Sequence, residues 1–162
     1  MDYMTEEKEC KIAASAGPAA AEQDWETRFR AVIDAVCEEK GRMDQLLNPK
    51  YEDCSFAEQY LSMSFGIEEW ELNPRGELHG GAIAAMFDLA LGLSASCTSS
   101  SRSLATTDIA VSYLCRVKAD DRVNIKCRIQ KSGKRMIRIT AEAFSLKSGA
   151  TVATAQGSYM II

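Results

Sequence analysis

The 162-residue chain is 46% hydrophobic and 26% charged with three prolines, which is ordinary globular composition and about one domain's length. No apolar run approaches the roughly 20 residues needed to span a bilayer. The acidic opening Met1-Asp2-Tyr3-Met4-Thr5-Glu6-Glu7 lacks the basic-then-apolar order of a secretory signal and argues against a mitochondrial presequence, so a cytoplasmic location is expected, with the mitochondrion left open.

The net charge of −4 hides an asymmetry: residues 1–75 carry 8 basic and 17 acidic side chains, whereas residues 76–162 carry 11 basic and 6 acidic. The second half could therefore hold an anion. Its basic residues come without interleaved aromatics or a helix-turn-helix pattern, which favours a small phosphorylated ligand over nucleic acid. The six cysteines (10, 37, 54, 97, 115 and 127) are irregularly spaced, with no CxxC pair and no neighbouring histidine. Free thiols and no metal site are the expectation.

In chain order, residues 1–20 lack periodic apolar positions and read as a flexible arm. Residues 21–57 read as a helical segment: from Gln23 to Leu47, Trp25, Phe29, Val32, Ile33, Val36 and Met43 recur at helical spacing, stopping near Asn48-Pro49. Residues 58–162 read as the main domain. Leu61, Met63 and Phe65 alternate with Tyr60, Ser62 and Ser64 as in a strand. From His79 to Ser96 the sequence HGGAIAAMFDLALGLSAS is apolar or small on nearly every face, as suits a helix buried on all sides, with one carboxylate, Asp88, in its middle. Four alternating segments follow, near Leu104–Leu114, Asp121–Lys131, Arg135–Leu146 and Thr151–Met160, the last three divided by turns at Lys131-Ser132-Gly133-Lys134 and Lys147-Ser148-Gly149-Ala150. In the first of them Ile109, Val111 and Tyr113 share a face opposite Thr106, Asp108, Ala110 and Ser112. The predicted class is α+β, an antiparallel sheet curled around a central buried helix, with an extra N-terminal helix.

The chemistry concentrates in Asn73-Pro74-Arg75-Gly76-Glu77-Leu78-His79-Gly80-Gly81 and the helix it opens. Two glycines at a helix start leave unpaired backbone N–H groups accessible to a carbonyl oxygen, at the positive end of the helix dipole. Asp88 is an ionisable group in an apolar helix, costly unless it is partnered or faces a cavity; the two readings are a catalytic carboxylate and a cap on neighbouring backbone. Nine residues separate His79 from Asp88, which places them on opposite helix faces and roughly 13 Å apart along the axis. They cannot act on one carbon within one chain. A carboxylate serving the helix N-terminus would come from a two-fold-related copy.

The stretch LHGGAIAAMFDLALG resembles the signature of the PaaI-like branch of the hotdog-fold thioesterases, and the resemblance runs over about residues 58–162. It implies a curved sheet around a central helix, hydrolysis of an acyl-CoA thioester to free acid and coenzyme A, no separate cofactor, and a homodimer that pairs further into a tetramer. Position by position, it implies that Asn73 and the Gly80 N–H bind the thioester carbonyl, beside Gly81. It further implies that Asp88 and Thr106 of the partner chain activate and orient the attacking water. His79 falls at the helix entry, with carbonyl contact or general-base work as its readings. Lys131, Lys134 and Arg135 are the candidates for the coenzyme A phosphates. The chain departs from the family pattern at Ala110, usually asparagine, and at Arg116, commonly proline. An alternative is a non-catalytic acyl-CoA or lipid-binding module; a dehydratase ranks last because the single histidine lies on the wrong face. No GxSxG, GxxxxGK[ST] or GxGxxG motif is present, which disfavours serine-hydrolase, ATP and nicotinamide chemistry.

Overall fold

The computed structural model describes residues 18–99 and 103–162. The arm expected over residues 1–20 thus lies outside the described residues, except that 18–20 open the first helix. That helix, α1 (Pro18–Glu38), begins with proline, whose missing N–H costs nothing at a helix start. It buries Trp25, Phe29 and Ile33 at four-residue spacing, and the Trp25 indole N–H donates to the Tyr60 carbonyl at 3.4 Å. The single helix expected to run to Leu47 is broken: Gly41 takes a left-handed φ of 78°, and a short α2 (Met43–Leu47) follows. Asn48, at φ 47°, closes α2 in a left-handed cap.

Six strands follow: β1 (Lys50–Ser55), β2 (Tyr60–Gly66), β3 (Leu104–Tyr113), β4 (Arg122–Ser132), β5 (Met136–Ser145) and β6 (Thr151–Ile161). The four C-terminal strands fall where alternation predicts them. β1 does not: its sequence KYEDCS is polar and its exposure irregular, as an outermost strand allows, so no period-two signal marks it. It pairs with β2, so the sheet begins ahead of residue 58.

The strands form one antiparallel sheet in the order β1-β2-β4-β5-β6-β3. The central helix α3 (Gly80–Thr98) carries the chain from β2 to the far edge, where β3 starts. This is the hotdog arrangement, with α3 lying on the concave face. Its floor alternates bulky and small side chains: Leu61, Met63, Phe65, Val123, Ile125 and Cys127 on β2 and β4, and Ala141, Ala143, Ala153, Ala155 and Gly157 nearer the edge. A side chain at Gly157 would meet Leu91 of α3 at 3.2 Å, so glycine there lets the helix sit close.

Ten of the nineteen residues of α3 are buried, among them Met86, Phe87, Ala90 and Leu91. Contrary to the expectation for any run in this chain, α3 is long and apolar enough to cross a bilayer; core packing takes up that apolar surface. The five described cysteines are free, and burial pushes the Cys97 and Cys127 thiols up to about 12, which keeps them protonated and unreactive.

Phe87, on α3, is fully buried. Phe87→Ala is therefore expected to lower unfolding stability by about 3–5 kcal/mol, read from urea denaturation. Leu46→Ala, at a side chain 48% exposed, should stay within about 0.5 kcal/mol of wild type.

Candidate active site

Two clusters of predicted residues form at opposite ends of β3. The first gathers around the start of α3. Asn73 opens a tight loop: its side-chain oxygen accepts the N–H groups of Arg75 (2.8 Å) and Glu77 (3.3 Å), and its backbone exchanges hydrogen bonds with Glu77 and Gly76. With that oxygen occupied, the Asn73 amide NH2 is left as the outward donor. His79 is the N-cap of α3, and its Nδ1 accepts the Gly81 N–H at 2.9 Å. An accepting Nδ1 puts the ring proton on Nε2, which makes Nε2 a donor.

The Gly80 N–H has no hydrogen-bond partner among the described residues. The Gly80 carbonyl accepts the Tyr113 hydroxyl at 3.0 Å, and a side chain at Gly80 would meet the Tyr113 ring at 3.4 Å. The first cluster is thereby tied to the C-terminal end of β3. Glu71 supports it from below. Its backbone carbonyl accepts the His79 N–H at 2.8 Å and its Oε2 accepts the Glu68 N–H at 2.7 Å, while Oε1 is buried with no partner among the described residues.

The second cluster lies near the N-terminal end of β3. The Thr106 hydroxyl donates to Asp88 Oδ1 at 3.3 Å, and the Tyr159 hydroxyl donates to the Asp88 backbone carbonyl at 3.2 Å. Burial, and next the neighbouring Asp88 charge, push the Tyr159 phenol well above its usual range, so it stays a donor. Two expectations are corrected here. Thr106 does not lie opposite Ile109: the register shifts between Thr106 and Asp108, and this bulge at Thr107 turns both Thr106 and Ile109 toward α3, where they pair with Tyr159 and Gly157. Nor is α3 buried on every side. Gly81, Asp88 and Ser96 are exposed and Ala85 and Gly92 half-buried, a stripe at helical period that the sheet does not cover.

Asp88 opens into a groove of about 350 Å³ between α3, the α1–α2 segment and the start of β3. Lys131, Lys134 and Arg135 do not line it; they are exposed at the β4–β5 turn. Ala110 faces the opposite side of the sheet, paired with Gln156, so its departure from the family pattern does not touch the Asp88 groove. The exposed Arg116 lies 3.5 Å from the half-buried Glu77 in an ion pair. Sequence reasoning missed Tyr113, Tyr159 and the contribution of α1–α2. Tyr159 carried a faint signal, as a polar-tipped side chain at an inward position of β6.

The fold and the two clusters define a hotdog protein with a carboxylate on the open face of its central helix. Residues 75–152, just under half of the chain, match the model of the thioesterase superfamily. A Caenorhabditis elegans protein whose name proposes an esterase is 33% identical over 70 residues, 43% of this chain. That alignment spans 41% of the relative's length. The PaaI protein of the E. coli phenylacetic acid degradation operon superposes with a TM-score of 0.72 at 15% identity, over 87% of this chain and 95% of its own. Thioesterase superfamily member 2 from Mus musculus superposes with a TM-score of 0.69 at 22% identity, over 84% of this chain and 96% of its own.

Burial raises the Glu71 carboxyl above its ordinary 4.5, partly offset by the Glu68 N–H. The folded chain therefore holds this proton to higher pH than the unfolded chain does. The stabilising contribution is fully present below the ordinary value and is lost as pH rises through the raised one. Glu71→Gln is expected to flatten this part of the pH profile, so its stability relative to wild type should climb as pH rises above 4.5. Chemical denaturation across that range measures it, and parallel profiles for the two proteins would contradict the assignment.

Proposed function

We propose that the protein is an acyl-CoA thioesterase whose active site is shared between two copies of the chain. The observation that carries the reading is the placement of the two clusters at opposite ends of one edge strand. Gly80 lies 8 residues before Asp88 on the same helix, about 12 Å along the axis, too far for both to reach one carbonyl carbon. β3 pairs with β6 on one side, and no strand among the described residues pairs with its other side. Such a free edge, with Asp108 its single charge, invites pairing with a copy of itself. Antiparallel pairing about a two-fold axis exchanges the ends of β3. The Tyr113 end, with Asn73 and Gly80, then meets the partner's Thr106 and the partner's Asp88.

In this reading the Gly80 N–H and the Asn73 amide donate to the thioester carbonyl oxygen, with the His79 Nε2–H nearby, and hold the negative charge that forms there. The Asp88 carboxylate takes a proton from water while Thr106 orients it, and the water oxygen bonds to the carbonyl carbon. Collapse of the tetrahedral intermediate breaks the C–S bond. The thiolate leaves, takes up the proton as coenzyme A, and the acid remains. No separate cofactor is needed. Lys131, Lys134 and Arg135 are the proposed contacts for the coenzyme A phosphates, and a second pairing of dimers into a tetramer is part of the same reading.

Asp88→Asn is expected to lower kcat for acyl-CoA by about 10² or more with the fold intact, measured by thiol release; wild-type turnover would refute the mechanism. Tight acyl-CoA binding by the wild-type chain without thiol release would instead identify a binding module. Asn73→Ala and Asp88→Asn chains, each inactive alone, should recover about a quarter of wild-type activity when mixed and re-paired, because half the dimers then hold one intact site. Absence of recovery in verified mixed dimers would confine the site to one chain.

A further inference from the structure

We infer that the groove beside Asp88 is a sleeve for a linear aliphatic acyl chain of about ten carbons, with the N-terminal helical segment as its outer wall. The inference rests on the thioesterase reading for the identity of the group attached to the chain, but the groove itself is independent of it. Asp88 and Thr106 stand in this groove, so a substrate whose carbonyl meets them has its acyl substituent at the groove's mouth. From Asp88 the groove follows α3 past Gly92 to Ser96. Eight residues of helix are about 12 Å, the reach of an extended alkyl chain of that length and well beyond an aryl group's.

Apolar side chains run along the groove beyond its Asp88–Thr106 end. Gly92 leaves the helix surface bare, while Val36, Met43 and Leu47, with the exposed Asp44, close the groove from the α1–α2 side and Leu104 from β3. Met43 is 55% exposed and Leu47 is 2% exposed, so the wall has one anchored and one adaptable side chain. An exposed methionine at this rim gains cover when a tail lies beneath it. A side chain at Gly92 would first meet the Tyr159 ring at 3.7 Å, an ordinary contact, so glycine is not required there by core packing. Its effect is to keep the groove open.

The test is a series of straight-chain acyl-CoA substrates, with phenylacetyl-CoA, assayed by thiol release on wild type, Gly92→Leu and Ser96→Leu. Ser96 is exposed, which makes its variant the safer one for folding. In wild type, kcat/KM should rise by about fourfold per methylene and level off near ten carbons. Both variants should lose tenfold or more on decanoyl-CoA while keeping butyryl-CoA within about twofold. Length-independent rates, a preference for phenylacetyl-CoA over octanoyl-CoA, or equal losses at every length in both variants would overturn the sleeve. Calorimetry with free decanoate separates this inference from the catalytic one. If no thioester is cleaved, decanoate binding to wild type that Ser96→Leu abolishes still supports the sleeve; decanoate binding unchanged in Ser96→Leu removes it.

Discussion

The close seating of α3 on the small-residue floor of β5 and β6 is the contact on which the rest of the molecule depends. Gly157 lets Leu91 approach to a distance at which a side chain would be crowded, and Ala141, Ala143, Ala153 and Ala155 keep the neighbouring floor low. Bulkier residues on β2 and β4 fill the other side. A helix held at this height buries ten residues and leaves one stripe uncovered. Asp88 lies on that stripe, so the carboxylate is solvated rather than desolvated, and the cost of an unpaired buried charge does not arise.

The height of the helix also sets its reach to β3. At the bulge the Thr106 side chain turns inward and its hydroxyl meets the carboxylate, while Tyr159 secures the backbone of the same turn. A regular strand would carry Thr106 on the outer face with Asp108. At the other end Tyr113 ties β3 to Gly80. One edge strand therefore holds both halves of the proposed site, spaced so that a single chain cannot bring them together.

Much of this was legible beforehand. The helix boundaries at His79 and near Ser96, the four C-terminal strands, the buried thiol of Cys127 and the glycine-opened helix start follow from local periodicity and from the chemistry of unpaired N–H groups. The rest was not. β1 carries too little alternation to be read, because an outermost strand is not required to hide either face. The break at Gly41 lies in the charged run Glu38-Glu39-Lys40-Gly41-Arg42, across which the seven-residue spacing of Val36 and Met43 still fits one helix. Glu71 resembled any surface glutamate until packing buried it beneath the Asn73 loop.

Residue types and their helical offsets are fixed locally, since 1.5 Å and 100° per residue hold in any α-helix. That was enough to separate His79 and Gly80 from Asp88. Long-range packing sets which side of the helix stays open, which face Thr106 occupies, and that the N-terminal segment walls a groove at the carboxylate. These depend on a bulge and on contacts between residues far apart in the chain, where one inserted residue reverses a strand's faces and no local pattern records it.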